Sequence, residues 1–207
     1  MVVTRIDEYK KGRYKVQLDS GQEFVLYRGE LRKYHIELDV ELSDEIVESI
    51  IHEVLPRRAK LRAMNLLMKR RMTENELRTK LKNGEYSEDI INEAMDYIAS
   101  YGYINDTDYA YDYISYNKDH KSMKRIEYDM INKGIDKQTI RAAIESINDS
   151  NDPIDESAQI IKLLEKKKYN SETSTYEEKR KIYAFLCRKG FSPESVKHAM
   201  HVLDITS

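Results

Sequence analysis

From residue 73 to residue 110 the apolar positions recur at helical spacing, and the breaks between the periodic runs carry capping chemistry. Leu77 and Leu81 stand four apart on one helix, while Ile91, Ala94, Met95 and Ile98 form a single stripe on the next. Thr73 and Glu76 make a capping box ahead of the first run, and Gly84 is placed to end it. Ser87 stands at the cap of the second helix, where Glu88 and Asp89 suit the positive end of its dipole. After Gly102, Asn105 or Asp106 starts a third helix to about residue 119.

The same register occurs twice more. Counted from Ser87, the apolar offsets −10, −6, +4, +7, +8 and +11 hold Leu77, Leu81, Ile91, Ala94, Met95 and Ile98. Counted from Asp136 they hold Ile126, Met130, Ile140, Ala143, Ile144 and Ile147; from Ser192 they hold Ile182, Leu186, Val196, Ala199, Met200 and Leu203. Matching offsets in three places predict three tandem helical repeats rather than three unrelated helices. Gly134 and Gly190 precede their caps by two residues and Gly84 by three, so the first joint is one residue longer. Polar stretches at 148–153 and 169–176 read as a linker and a loop, both expected to be mobile.

Upstream the period changes to two. Tyr14, Val16 and Leu18 alternate with polar residues, a turn follows at Asp19–Gly21, and Glu23 to Arg28 alternates again. With Val3 to Tyr9 this predicts a three-stranded meander, too small to stand without packing on something. Short helices are expected at 29–35 and, after Ser43, through Ile46, Ile50 and Val54; a further helix is expected after Pro56 to about Arg71. The expected organisation is mainly α: meander and short helices in 1–55, then three-helix repeats in 56–104, 105–149 and 150–207.

Composition adds charge and removes several classes of function. The 207 residues are 40% hydrophobic and 35% charged, with one cysteine, Cys187, so an intrachain disulfide and a multi-cysteine zinc site are excluded. No run approaches the roughly 20 apolar residues of a membrane span, and the first residues lack the order of a signal peptide, so a cytoplasmic protein is expected. The phosphate-binding glycine loop, GxSxG, HExxH and dinucleotide patterns are all missing, and no cofactor is expected. His198 and His201 share a helix but lack a third ligand in sequence.

Net charge is only −2, but it is segregated. Residues 56–82 carry ten Lys/Arg against two Glu, and residues 83–117 carry eight acids and no Lys or Arg. Ten cations on neighbouring helices repel one another, and a polyanion relieves this by counterion release. Arg58, Arg62 and Lys69 form a stripe displaced from the buried side of their helix. Lys118, Lys121, Lys124 and Arg125 extend the surface, and Lys179, Arg180, Arg188 and Lys189 offer more cations in the last repeat. Tyr101, Tyr103, Tyr109, Tyr111, Tyr113 and Tyr116 lie among acids that repel phosphate, and read as packing between repeats.

Thr73-Glu-Asn-Glu-Leu77, Gly102-Tyr-Ile-Asn-Asp106 with Tyr109-Ala110, Lys124-Arg-Ile126 to Lys133-Gly134-Ile135, and Phe185-Leu-Cys-Arg-Lys-Gly-Phe191 resemble the RecX family of RecA regulators, in order over residues 56–203. The resemblance implies an elongated, curved array of three three-helix repeats lying along the RecA filament on single-stranded DNA. It implies a non-enzymatic, monomeric inhibitor of strand exchange, ATP hydrolysis and coprotease activity, acting in homologous recombination, DNA repair and the SOS response. The residues expected to face DNA or acidic recombinase loops are Arg57, Arg58, Arg62, Lys69, Arg70, Arg71, Arg78 and Lys82, with Lys121, Lys124 and Arg125 continuing the surface. The rival readings are a free-standing nucleic-acid-binding protein acting without RecA and a purely structural helical adaptor.

Overall fold

The computed structural model describes residues 1–206 except 151 and 171, with the backbone alone for 202–206, so the expected core position Leu203 lies outside the described side chains. The chain forms two compact units, Met1–Ile104 and Asn105–Ser207. Each is best understood from its own core.

The first unit begins with β1 (Val3–Lys10), β2 (Arg13–Leu18) and β3 (Glu23–Tyr27), an antiparallel meander in the order β1-β2-β3. Val16 sits opposite Ile6 on one side and Phe24 on the other, and Val16, Leu18, Phe24 and Leu26 are buried. Helix α1 (Arg28–Lys33) follows β3 directly, and α2 (Asp44–Ser49) starts where the Ser43 hydroxyl accepts from the Ile46 amide. The chain then passes through one wider turn at Ile50–Val54 into α3 (Leu55–Leu67). The sequence predicts separate helices on either side of Pro56; they form one continuous helix. Proline has no amide hydrogen, and its ring strikes the carbonyl four residues back in a regular helix. The widened turn, in which the Leu55 amide donates to the Ile50 carbonyl, absorbs that misfit. The helix ends at Leu67, short of the expected Arg71.

Helices α4 (Glu74–Lys82) and α5 (Glu88–Ser100) complete the first three-helix bundle. The Glu76 amide donates to the Thr73 hydroxyl at 3.2 Å, and the Thr73 amide donates to the Glu76 carboxylate at 3.3 Å. Ser87 stands at the cap of α5, but its hydroxyl accepts no capping hydrogen bond. Leu77, Leu81, Ile91, Ala94, Met95 and Ile98 are buried in one cluster with Ala59, Ala63 and the inner face of the meander, so the sheet rests on the first repeat.

The second unit holds two further bundles: α6 (Asp106–Asn117), α7 (Met123–Asn132) and α8 (Lys137–Asn148), then α9 (Glu156–Lys166), α10 (Tyr176–Arg188) and α11 (Pro193–Thr206). Asn105 caps α6 by accepting from the Thr107 and Asp108 amides. One core gathers Ala110, Ile114, Ile126, Met130, Ile140, Ala143 and Ile147, the other Ile160, Leu164, Leu186, Phe191, Val196 and Ala199. Ile144, Ile182 and Met200 are half-buried at their edges. A polar joint ties the two bundles. The Ser122 hydroxyl caps α7 and donates to the Lys189 carbonyl at the end of α10, while the Met123 amide donates to Glu156 at 2.7 Å. Gln159 donates to the Lys118 carbonyl, and Lys118, expected on the cationic surface, is instead buried and pairs with Asp152.

The joint between the second and third helices of each repeat has one recurring feature that the glycine pattern misplaced in the first. The residue two before the cap takes a left-handed conformation each time, and it is Gly134 and Gly190 but Glu85. Gly84 is needed for space instead: a Cβ there would meet the Leu81 carbonyl oxygen at 2.9 Å and the Tyr86 ring at 3.0 Å. The residue one before the cap, Tyr86, Ile135 or Phe191, is buried each time, a core position the six offsets did not include. At Gly190 a Cβ would run into the Ser122 hydroxyl, so backbone angle and space both require glycine. In urea denaturation Glu85→Gly is expected to gain up to about 1 kcal/mol, and Gly190→Ala to lose more than about 2 kcal/mol.

Candidate functional site

The stripe read at spacing four and seven lies along a groove of about 290 Å³ on α3, lined by Arg58, Arg62, Asn65 and Lys69 with the Tyr27 and Tyr86 rings at one end. Its cations are in different states. Arg58 is only 16% exposed: its guanidinium donates to Glu30 at 2.7 Å, to the Val25 carbonyl and to the Tyr86 hydroxyl at 3.2 Å, and it lies over the Tyr27 ring at 4.8 Å. This residue joins β3, α1, α3 and the α4–α5 joint, so its first role is inside the fold. Arg62 is half-buried and its Nε is buried without a hydrogen-bond partner, whereas Lys69 is exposed and unpaired.

The other expected residues divide in the same way. Arg57 and Lys124 are exposed and have no partner among the described residues. Arg70 pairs with Glu76 at 3.2 Å, Arg78 with Glu74 at 2.8 Å and Asn92 at 2.7 Å, and Lys82 with Glu88 at 2.8 Å; Arg71 is exposed. Lys60 reaches Glu93 on α5 at 2.7 Å. The segregation seen along the chain is therefore partly cancelled in space, because α5 brings its acids against the cations of α3 and α4. The hydrogen bond between Lys82 and Glu88 raises the ammonium and lowers the carboxyl from their ordinary values. Exposed pairs of this kind are worth little, so a phosphate can displace the carboxylate.

Lys121 and Arg125 converge on Asp129 at 2.9 and 3.0 Å, and the Tyr113 hydroxyl also donates to it at 3.0 Å. Burial alone raises the Asp129 carboxyl; the Lys121 and Tyr113 hydrogen bonds, with Arg125 nearby, more than reverse this and hold it below the ordinary carboxylate value. These two cations thus serve a local network. The tyrosines differ from expectation. Tyr109 and Tyr113 stack on one another at 6.2 Å against the second core, but Tyr101, Tyr103, Tyr111 and Tyr116 are exposed rather than packed. Tyr97, Tyr101 and Tyr103 instead make a surface ladder, with centroids 5.0 and 5.7 Å apart.

The third repeat holds the largest set of unoccupied cations. Residues 155–201 carry ten Lys/Arg and seven acids, and among the described residues none of the ten forms an ion pair. Lys167 and Lys189 lie over the Phe185 ring, at 4.9 and 5.4 Å. Sequence reasoning saw four of the ten but gave the weight to residues 56–82, because net charge counts acids whether or not they reach a cation. Glu178 shows the difference: it accepts from the Thr175 amide at 2.8 Å in a capping box. That cap was readable from Thr175 and Glu178 three residues apart.

Among the described residues no helix is long and apolar enough to cross a membrane, and no three His, Cys, Asp or Glu gather as a metal site. Family models described as the first and the third three-helix domain of RecX match residues 59–97 and 155–200. The regulatory protein RecX of Caldanaerobacter subterraneus subsp. tengcongensis is 28% identical over 204 residues, which cover 98% of this chain and all of that one. The chain belongs to the RecX family. The regulatory protein RecX of Finegoldia magna is also 28% identical, over 95% of this chain and 97% of that one. A crystal structure of RecX from Lactobacillus salivarius superposes with a TM-score of 0.63 at 26% identity, covering 73% of this chain and 98% of that one. A second, titled as a regulatory protein RecX, gives 0.62 at 22% identity over 95% and 98%, and supports the fold. The RecX relatives are named as regulatory proteins.

Two expected outcomes separate structural cations from available ones. Arg58→Ala should cost roughly 2–4 kcal/mol in urea denaturation, because it leaves Glu30 and a carbonyl unpaired, while Arg57→Ala should change stability by less than about 0.5 kcal/mol. Because the Asp129 carboxyl is lowered in the folded state, its contribution is complete above the unfolded carboxylate value and is lost as the pH falls through the lowered one. Denaturation midpoints measured from about pH 7 to about pH 3 should therefore fall less steeply in Asp129→Asn than in the parent.

Proposed function

We propose that this RecX family member is a non-enzymatic regulator that binds the RecA filament on single-stranded DNA and inhibits its recombinase, ATPase and coprotease activities. The observation that carries the reading is the α3 groove, where a guanidinium nitrogen of Arg62 is buried without a partner beside an unpaired Lys69. An unpaired donor on a partly buried cation gains most from a phosphate or carboxylate brought to it. Arg57 lies on the same helix, and Arg78 and Lys82 exchange an exposed carboxylate, and Arg70 a half-buried one, for the filament's anions. Inhibition on this reading is steric and electrostatic: a body bound across protomers opposes the conformational cycle coupled to ATP. Action in the cytoplasm follows from such a partner.

A free-standing nucleic-acid-binding role is the second reading, favoured by the ten cations of the third repeat that form no ion pair among the described residues. It requires steep salt dependence of DNA binding and no effect that needs RecA. The deciding measurement is ATP hydrolysis by the cognate RecA on single-stranded DNA as the protein is added. Stoichiometric amounts should suppress hydrolysis, and Arg62→Gln with Lys69→Gln should raise the concentration needed by about ten-fold or more. Full hydrolysis at stoichiometric protein rejects the filament reading.

A further inference from the structure

Resting on the reading that the chain meets single-stranded DNA, we propose that the third repeat carries a stacking platform for unpaired bases, formed by Tyr176 with Tyr169 and Tyr183 and edged by Lys179, Arg180 and Lys197. These six residues line a hollow of about 510 Å³ between α10, α11 and the loop before α10. Tyr176, the first residue of α10, is 81% exposed. An aromatic ring so displayed gains nothing from the core and offers an open face to a base. Among the described residues Lys179, Arg180 and Lys197 have no carboxylate partner, and no acid lines the hollow. Glu178, next to Lys179 in sequence, is turned back to the Thr175 amide and hydroxyl by its cap.

A second basic hollow continues along α10 through Arg180, Lys181 and Arg188, with Glu177 its one acid. Arg180 lines both hollows, so a strand whose bases lie on the tyrosines has a cationic track for its phosphates. The chemistry selects the occupant. An acidic protein segment satisfies the cations but has no use for the open Tyr176 ring, beside which Tyr169 and Tyr183 are half-buried against the third core, and a duplex keeps its bases inside. A single strand uses both. The exposed Tyr101 and Tyr103 of the first repeat lack this combination, since the cation that reaches their ladder, Lys60 over the Tyr97 ring, is paired with Glu93.

The test uses the full chain and a thymidine oligonucleotide carrying one 2-aminopurine, whose emission falls when the base stacks. Binding should quench it. Tyr176→Ala should weaken binding by about five-fold to a hundred-fold and abolish the quench, while Tyr176→Phe, which keeps the ring, should do neither. Lys179→Gln with Arg180→Gln should weaken binding and flatten its salt dependence. An abasic oligonucleotide of the same length, a duplex and polyglutamate should all bind more weakly than the base-bearing strand. Equal binding by any of them, or an unchanged quench in Tyr176→Ala, overturns the platform. Run beside these, the RecA ATPase assay keeps the two ideas apart. Inhibition by the parent without Tyr176-dependent quenching removes the platform and leaves the filament reading; quenching without inhibition does the reverse.

Discussion

A bundle of three short helices cannot bury enough apolar surface to stand comfortably alone, since a single core below roughly 60 residues is marginal. Each repeat of this chain meets that limit by leaning on something. The first rests on the meander, and Arg58 fixes the contact by reaching a strand carbonyl, the α1 carboxylate of Glu30 and two tyrosine rings at once. The second and third rest on one another through Ser122, Lys118, Gln159 and Glu156, a joint made of hydrogen bonds to backbone groups that helix ends would otherwise leave unpaired.

That requirement decides which charges remain for a partner. Arg58 and Lys118 act inside the fold, and Lys121 and Arg125 hold Asp129, so four of the cations counted as surface by sequence have prior partners. In the first repeat α5 brings Glu93 back to Lys60 and Glu88 to Lys82, and offers the Asn92 amide oxygen to Arg78. What is left on α3 is a short groove with one orphaned guanidinium nitrogen. In the third repeat, over residues 155–201, the acids are as many as in the first, but among the described residues none of them pairs with a Lys or Arg and Glu178 is held by its helix cap, so the cations stay open. Net charge along a chain is a poor guide to potential in space wherever one helix folds back upon another.

The architecture was largely legible, because it rests on period and capping, which are local. Wherever their side chains are described the six offsets fall on buried residues or, at Ile144, Ile182 and Met200, on half-buried ones at a core's edge, and Thr73, Asn105 and Asp136 cap as their chemistry requires. Pro56 misled, since a proline inside a helical run normally marks a break and the wider turn that rescues it has no signature in sequence. The site was legible only in part. Spacing placed Arg58, Arg62 and Lys69 on one face, but nothing local says that Arg58 meets Val25 and Glu30, which are about thirty residues away. The tyrosines failed for a related reason: aromatic content does not say whether a ring faces inward, and Tyr101 and Tyr103 found each other at the surface.

The left-handed residue before each third helix shows how a repeat can keep its geometry while its residues change. A non-glycine there costs about 1–2 kcal/mol, not enough to forbid it where the core is large. Glu85 occupies that position in the unit whose core is shared with the meander, and the chain turns there with the same sense as at Gly134 and Gly190. Gly190 has no such freedom, because the hydroxyl that caps α7 occupies the space a Cβ would need. The position is therefore set by two separate demands, the turn itself in every repeat and the neighbouring repeat only in the third. Exposed positions answer to neither, which is why a fold repeated three times presents a partly paired charge surface on its first repeat and an open aromatic, cationic one on its last.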